Sequence, residues 1–398
     1  MLVPFPTVKE LHVRVLLSAF IGSKNLGDEA IFAVVSALVP EKLGADLTVL
    51  SIDLEKTRAH PLAAGTEVEQ ASVRNFVRLA RKSDAVLMGG GGIIQDESSV
   101  INLLYYYLQS WVANALLKKP VYLVYVGVGP VTSGLGHWLL RRMSRRVARS
   151  LVRDRESADL LTSHGFDEST ITVAFDIVYN LVVPAPATAA SDYIVFAPRD
   201  WFFTQRYLPT RYALTRSKKD AASGLNRFRT RLLTLVSAAL TRHPELRVVG
   251  IPFFLSQDND LLAWIKARLT PEQSARFDIR SEYISPEEYV AIAAGSRAIL
   301  GMRLHSLVLG TLSGRPLVPL IYSAKVRSMI AYLGLAERAT ELTKPDFDYE
   351  ATLSRLDQAL GSPDPIDAAA LKHIQDTNLT LSDRFFAEVR ADLAGTTR

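Results

Sequence analysis

The stretch Ala298-Ile299-Leu300-Gly301-Met302-Arg303-Leu304-His305-Ser306-Leu307-Val308 decides how this 398-residue chain is read. A short apolar run ends in glycine, and an Arg-x-His pair then opens a helix-forming segment. In an open α/β sheet such a strand-to-helix corner lies at the carboxyl end of a strand. Ligands bind there because the helix start presents free N–H groups and a positive dipole end. Arg303 would grip a carboxylate or phosphate in a planar fork, and His305 can exchange a proton near neutral pH. The plainer alternative is a surface ion pair beside a satisfied helix-start histidine.

Three earlier corners have the same build. The apolar run Val13 to Phe20 leads into Gly22-Ser23-Lys24-Asn25-Leu26-Gly27-Asp28-Glu29-Ala30 and a helix through Leu38. Asp84 to Met88 leads into Gly89-Gly90-Gly91-Gly92-Ile93-Ile94-Gln95-Asp96, where four glycines would let backbone approach a ligand. Val121 to Val126 ends in Gly127-Val128-Gly129-Pro130. A further strand exit, without glycine, is that of Ile171 to Phe175 at Asp176. Each corner alone is also explained by ordinary turn chemistry.

Strands alternating with helices predict parallel sheets covered on both faces. The small, proline-containing segment Val182 to Ser191 interrupts the pattern and reads as a linker. After it come new strands at Tyr193 to Ala197, Leu246 to Ile251, Ala298 to Leu300 and Pro316 to Ile321. The expected class is α/β, with two Rossmann-like domains whose parallel sheets face a cleft. The expected bounds are 1–182 for the first domain, 183–191 for the linker, 192–345 for the second domain and 346–398 for a helical tail that packs back on the first.

Composition narrows the function classes. A hydrophobic content of 48% supplies two cores, and the absence of cysteine excludes disulfides, thiolate metal sites and a cysteine nucleophile. The first residues lack the basic-then-apolar pattern of a secretory signal. Val100 to Leu117 runs without a charge, but its asparagines, glutamine and tyrosines make it too polar for a span and predict a buried core helix. The net charge of +5 is unevenly distributed. Arg141, Arg145 and Arg149 recur at helical spacing with Arg142 and Arg146 beside them, which predicts a basic amphipathic helix. Arg199, Arg206, Arg211, Arg216, Lys218, Lys219, Arg227, Arg229 and Arg231 form a second basic stretch interleaved with Trp201, Phe202, Phe203 and Tyr207. Both patches read either as solvated faces or as contacts with an anionic membrane surface. No nucleic-acid motif accompanies them. No histidine pair or acidic cluster has metal-ligand spacing, so no metal is expected.

Taken in order, Asn25-Leu26-Gly27-Asp28-Glu29-Ala30, Gly89 to Asp96, Gly127-Val128-Gly129-Pro130, Val152-Arg153-Asp154-Arg155-Glu156-Ser157, Arg303-Leu304-His305-Ser306-Leu307 and Tyr322-Ser323-Ala324-Lys325-Val326 resemble the polysaccharide pyruvyl transferase family. The likeness runs from about Val13 to Lys325. It departs at Asp176-Ile177, where the family tends to have Asp-Pro, and at Pro252-Phe253-Phe254-Leu255, where the family has a polar segment.

The resemblance implies a GT-B-like layout, phosphoenolpyruvate as co-substrate with no other cofactor, and a saccharide acceptor, free or polyprenyl-linked, at the cell envelope. It implies a cytoplasmic enzyme, peripheral at the inner face of the membrane if the acceptor is lipid-linked. A donor carrying both carboxylate and phosphate needs fixed cations, and Arg153, Arg303 and Lys325 supply them at three corners, with Gly90, Gly91 and Gly129 as close-approach backbone. His305 is the expected general acid, and Asp28 and Asp176 are alternative bases. Asp28 reads equally well as a helix cap, and Asp176 as a turn former. Asn25, Asp96 and Arg199 are the expected acceptor contacts. A GT-B glycosyltransferase using a nucleotide sugar, and a non-catalytic glycan-binding protein of the same fold, are the other readings.

Overall fold

Nearly continuous apolar runs form strands that are buried on both faces, as parallel sheets require. In the first half these are β1 (Val13–Ile21), β2 (Ala45–Ser51), β3 (Glu67–Gln70), β4 (Ala85–Ile94), β5 (Val121–Val128), β6 (Val147–Val152) and β7 (Ile171–Val173). The second half contributes β8 (Tyr193–Ala197), β9 (Arg247–Gly250), β10 (Phe277–Ile279), β11 (Ala298–Gly301), β12 (Leu317–Ile321) and β13 (Thr340–Glu341). The computed structural model describes residues 13–59, 65–96, 99–183, 191–200, 218–344, 346–361 and 365–396.

The first sheet has the order β3-β2-β1-β4-β5-β6-β7 and the second β10-β9-β8-β11-β12-β13, with neighbours pairing in parallel. Each is the doubly wound order, with its reversal between β1 and β4 and between β8 and β11. Ligands bind outside the carboxyl ends of the strands at such a reversal. The two reversals face each other. The loop before the first helix (Leu26–Leu43) meets the second domain, where Leu26 N donates to Phe253 O at 2.8 Å and Asn25 bridges Phe254.

One continuous apolar core joins the domains: Leu26, Ala30 and Ile31 of the first helix belong to the same buried cluster as Leu307 and Val308 of the helix Leu304–Leu312. A second cluster fills the opposite face of the first sheet, under the helices Val100–Trp111 and Gly134–Met143. The helix Tyr349–Gly361 packs on the second domain. The helix Ala368–Thr396 returns to the first, where Asn378 Oδ1 accepts from Phe175 N at 2.9 Å and Arg149 pairs with Glu388 and Asp392.

Three local expectations change. The four glycines are strand, not loop: Gly89 and Gly91 pair with Val124 and Val126 of β5, and a Cβ on Gly89 would lie 2.0 Å from Val124 O. Close strand packing is what requires glycine there. Val147 to Val152 forms β6 instead of continuing the basic helix, which ends at Met143, because pairing on both sides of a buried sheet overrides helical spacing. The uncharged helix after Ser99 is half surface, with Leu103 and Tyr106 buried but Leu108 46% exposed. Among the described residues, no helix is long and apolar enough to cross a membrane. Most of the linker, 184–190, and Trp201 to Arg216 of the second basic stretch lie outside the described residues.

Candidate active site

His305 and Asp176 come from different domains and meet. Asp176 leaves the first sheet after β7, where its Oδ1 accepts from Val178 N at 3.1 Å and caps a short turn of helix. Its Oδ2 accepts from Arg153 Nη1 at 2.9 Å and lies 3.3 Å from His305 Nε2. Arg153, one residue beyond β6, also places Nη1 3.3 Å from the same His305 nitrogen. All three are largely buried. Burial opposes the charge on Asp176, but the charge and hydrogen bond of His305, with Arg153, hold its carboxyl well below the usual range. Arg153 is held more firmly protonated than usual: burial works against its charge, and Asp176, Asp154 and Asp28 outweigh it.

His305 Nε2 therefore has a partner in either state. Protonated, it donates to Asp176; deprotonated, its lone pair accepts from Arg153. The other side of the ring rests on the first helix of the first domain, where a Cβ on Gly27 would lie 2.1 Å from His305 Nδ1. Only glycine admits the ring.

Asp28 is next along that helix and does not cap it. The cap is Asn25, whose Oδ1 accepts from Gly27 N at 3.2 Å, which leaves the Asp28 carboxylate for the cleft. It lies against Gly91, where a Cβ would be 2.3 Å from Asp28 Oδ1, and Gly91 holds φ at +84°. Burial first, then the charge of Glu29, push its carboxyl up to about 7, against the pull of Arg153 and Arg303. A carboxyl poised near neutrality can take or give a proton in turnover.

The Asp28 shift has a consequence for stability. The folded state holds the Asp28 proton more tightly than the unfolded chain does. The contribution is thus fully present below about pH 4 and is lost as pH rises towards 7. Asp28→Asn is expected to match the wild type near pH 4 and to be more stable at pH 8, by on the order of a few kcal/mol. Denaturant midpoints across that range check it, and an unchanged difference between the two proteins would show a normally ionised Asp28.

The other cations are already engaged. Arg303, at the start of the helix Leu304–Leu312, forks onto Asp258 through Nε at 3.1 Å and Nη2 at 2.6 Å. Asp258 is fully buried and also accepts from Phe253 N and Phe254 N. Lys325 crosses the cleft, and its Nζ donates to Gly129 O. Gly90 packs on Ile31, and Gly129 on Leu160.

The three residues expected at the acceptor lie apart. Asn25 is the cap just described. Asp96 accepts from the backbone and side chains of Thr132 and Ser133, which fixes the turn after β5. Arg199 leaves β8 in the second domain, where its Nη1 donates to Tyr322 Oη at 2.6 Å, close to the helix that carries Lys325. Sequence reasoning missed Asp258, which sits inside an ordinary helix and has no motif around it. Among the described residues no cluster of three or more His, Asp or Glu could hold a metal ion.

With this geometry established, comparison with known proteins adds three findings. The sequence matches the polysaccharide pyruvyl transferase family over residues 25–324. No curated protein sequence matches it. Solved structures share its architecture. HepE (Alr3699) of Anabaena, in complex with UDP-glucose, gives a TM-score of 0.56 at 11% identity, covering 97% of this chain and 99% of that one. A glycosyltransferase of Rickettsia africae gives 0.55 at 12%, covering 96% and 99%. A UDP-forming α,α-trehalose-phosphate synthase of Burkholderia vietnamiensis gives 0.51 at 10%, covering 96% and 100%. The fold is GT-B, and at these identities the likeness establishes the fold alone.

Proposed function

This chain belongs to the polysaccharide pyruvyl transferase family, and from that premise we propose that it transfers the pyruvyl group of phosphoenolpyruvate to two hydroxyls of one sugar. The product is a cyclic ketal and the by-product is phosphate. The single observation that best supports this reading is His305 Nε2, set 3.3 Å from both an anion and a cation.

The chemistry needs one strong proton delivery. C3 of the enol takes a proton from His305 Nε2 while the first sugar oxygen bonds to C2 and its hydroxyl proton passes to a phosphate oxygen of the donor. The CH2 group becomes CH3, and the imidazole nitrogen left bare accepts from Arg153. The C2–O bond to phosphate then breaks, the second sugar oxygen bonds to C2, and its proton leaves through a base. Asp28, with its carboxyl near neutrality, suits that second step better than Asp176, whose carboxylate is held down by Arg153 and His305. On this reading the donor's anions lie at the starts of the helices Leu304–Leu312 and Ala324–Tyr332, beside Arg303 and Lys325.

For the acceptor, a cavity of about 600 Å³ opens outside the carboxyl ends of β1, β2 and β3, lined by Phe20, Ser23, Lys24, Ile52, Asp53 and Gln70. Apolar side chains together with one carboxylate, one amide, one hydroxyl and one lysine suit a sugar ring. Phe20 also borders a small void lined by Asp28, so one side chain lies between the two places.

Donor identity is tested by thermal shift. Phosphoenolpyruvate at 100 times its Kd is expected to stabilise the protein by about 2.7 kcal/mol, with UDP and GDP inert. A rise with a nucleotide and none with phosphoenolpyruvate would favour a sugar-nucleotide glycosyltransferase. Binding of a glycan with no turnover of any donor would favour a non-catalytic role.

A further inference from the structure

From Ser98 to Arg153 the chain contains eight lysines and arginines and not one carboxylate. Arg149 and Arg153 are consumed by Glu388, Asp392 and Asp176. The rest gather on the outer face of the first domain, away from the cleft. Arg141 and Arg142 end the helix Gly134–Met143 and Arg145 lies in the turn after it; all three are exposed, and none has a carboxylate partner among the described residues. Exposed Lys118 closes the neighbouring helical segment.

Large apolar side chains stand among these cations. Leu135 and Trp138 are about half exposed, at 49% and 48%, and lie one turn apart on the helix that carries Arg141 and Arg142. Ile101, Leu108 and Leu116 are exposed on the adjoining helical segment. The Tyr107 ring sits 6.1 Å from Trp138, and Arg142 lies over that indole at 5.3 Å. Leaving such groups in water is costly, and an apolar patch edged by unpaired cations and aromatics marks a contact surface. Trp and Tyr among Arg and Lys is the composition that settles at a membrane–water boundary.

We propose that this face docks the protein on a membrane surface bearing anionic headgroups, with Leu135, Trp138 and Leu116 entering the headgroup layer and Arg141, Arg142, Arg145 and Lys118 meeting the lipid charge. The proposal uses nothing of the cleft chemistry and stands independently of the donor. Within Ser98 to Arg153 every side chain that carries a full charge is a lysine or arginine; the carboxylates of Asp167 and Glu168 lie just beyond His164, which stacks on His137.

Co-sedimentation of the full chain with vesicles tests it. Binding is expected to vesicles of 70% phosphatidylcholine and 30% phosphatidylglycerol, to fall at least tenfold on pure phosphatidylcholine, and to fall comparably in 0.5 M salt. The double variant Arg141→Glu/Arg142→Glu is expected to lose at least tenfold in binding while phosphoenolpyruvate protection is unchanged. Leu135→Ser should weaken binding with its circular dichroism intact, and the two arginine changes keep the test decisive should that variant misfold. Equal binding to neutral and anionic vesicles, no binding to either, or a dimer that the double variant dissociates while vesicle binding is absent would each overturn the proposal. So would charge-reversal variants that bind vesicles like the parent.

Discussion

Replacing His305 with asparagine is expected to lower kcat by roughly 10²-fold or more while the phosphoenolpyruvate concentration giving half-maximal thermal protection stays within about twofold. The asymmetry follows from what the ring does. Asparagine can still accept from Arg153 and sit on Gly27, so the local packing survives. It cannot deliver a proton to C3, which matters only in the transition state. On the proposed chemistry, donor affinity would rest instead on charges already present in the ground state. Measured on one preparation, near-parental turnover in this variant would reduce His305 to a packing residue that closes the domains. A parallel loss of binding and turnover would instead assign it to the donor's anions.

Asp258→Ala is expected to produce the largest loss of stability, about 3–5 kcal/mol. The carboxylate is completely buried and serves four hydrogen bonds at once: two from the Arg303 guanidinium and two from the backbone of Phe253 and Phe254. Removing it leaves a largely buried cation and two N–H groups without an acceptor. Asp258→Asn, which keeps acceptors but removes the charge, should fall between. Urea midpoints of the three proteins at pH 7 decide it. A cost under about 1 kcal/mol for the alanine variant would mean that Arg303 finds another anion or water. The same loop accepts from Leu26 N, so the variant should also loosen the attachment of the first helix.

The strand-to-helix corners were legible because buried parallel strands read as apolar runs and their exits need glycine and polar groups. Arg153, Asp176, Arg303 and His305 are legible that way, and His305 meets Asp176 and Arg153 only because the two domains come together. Other elements left weaker traces. β2, β3 and β10 are short or carry alternate polar residues, and β6 follows a run of arginines whose spacing imitates a helix. The glycine run was legible as composition but not as conformation: residues that open a loop in one setting permit tight strand pairing in another. From sequence alone Arg303 reads as a cation waiting for substrate, because its partner Asp258 lies 45 residues away. Asn25, not Asp28, caps the first helix, and that exchange frees the carboxylate whose proton is most easily moved.

The return of the helix Ala368–Thr396 to the first domain has a mechanical consequence. The chain passes between the domains twice, once between Val183 and Ser191 and again between Gly361 and Ile366. The His305–Asp176, Lys325–Gly129 and Asn25–Phe254 contacts all cross between the same two bodies. A ligand that bridges one of these pairs therefore favours the arrangement that holds the other two.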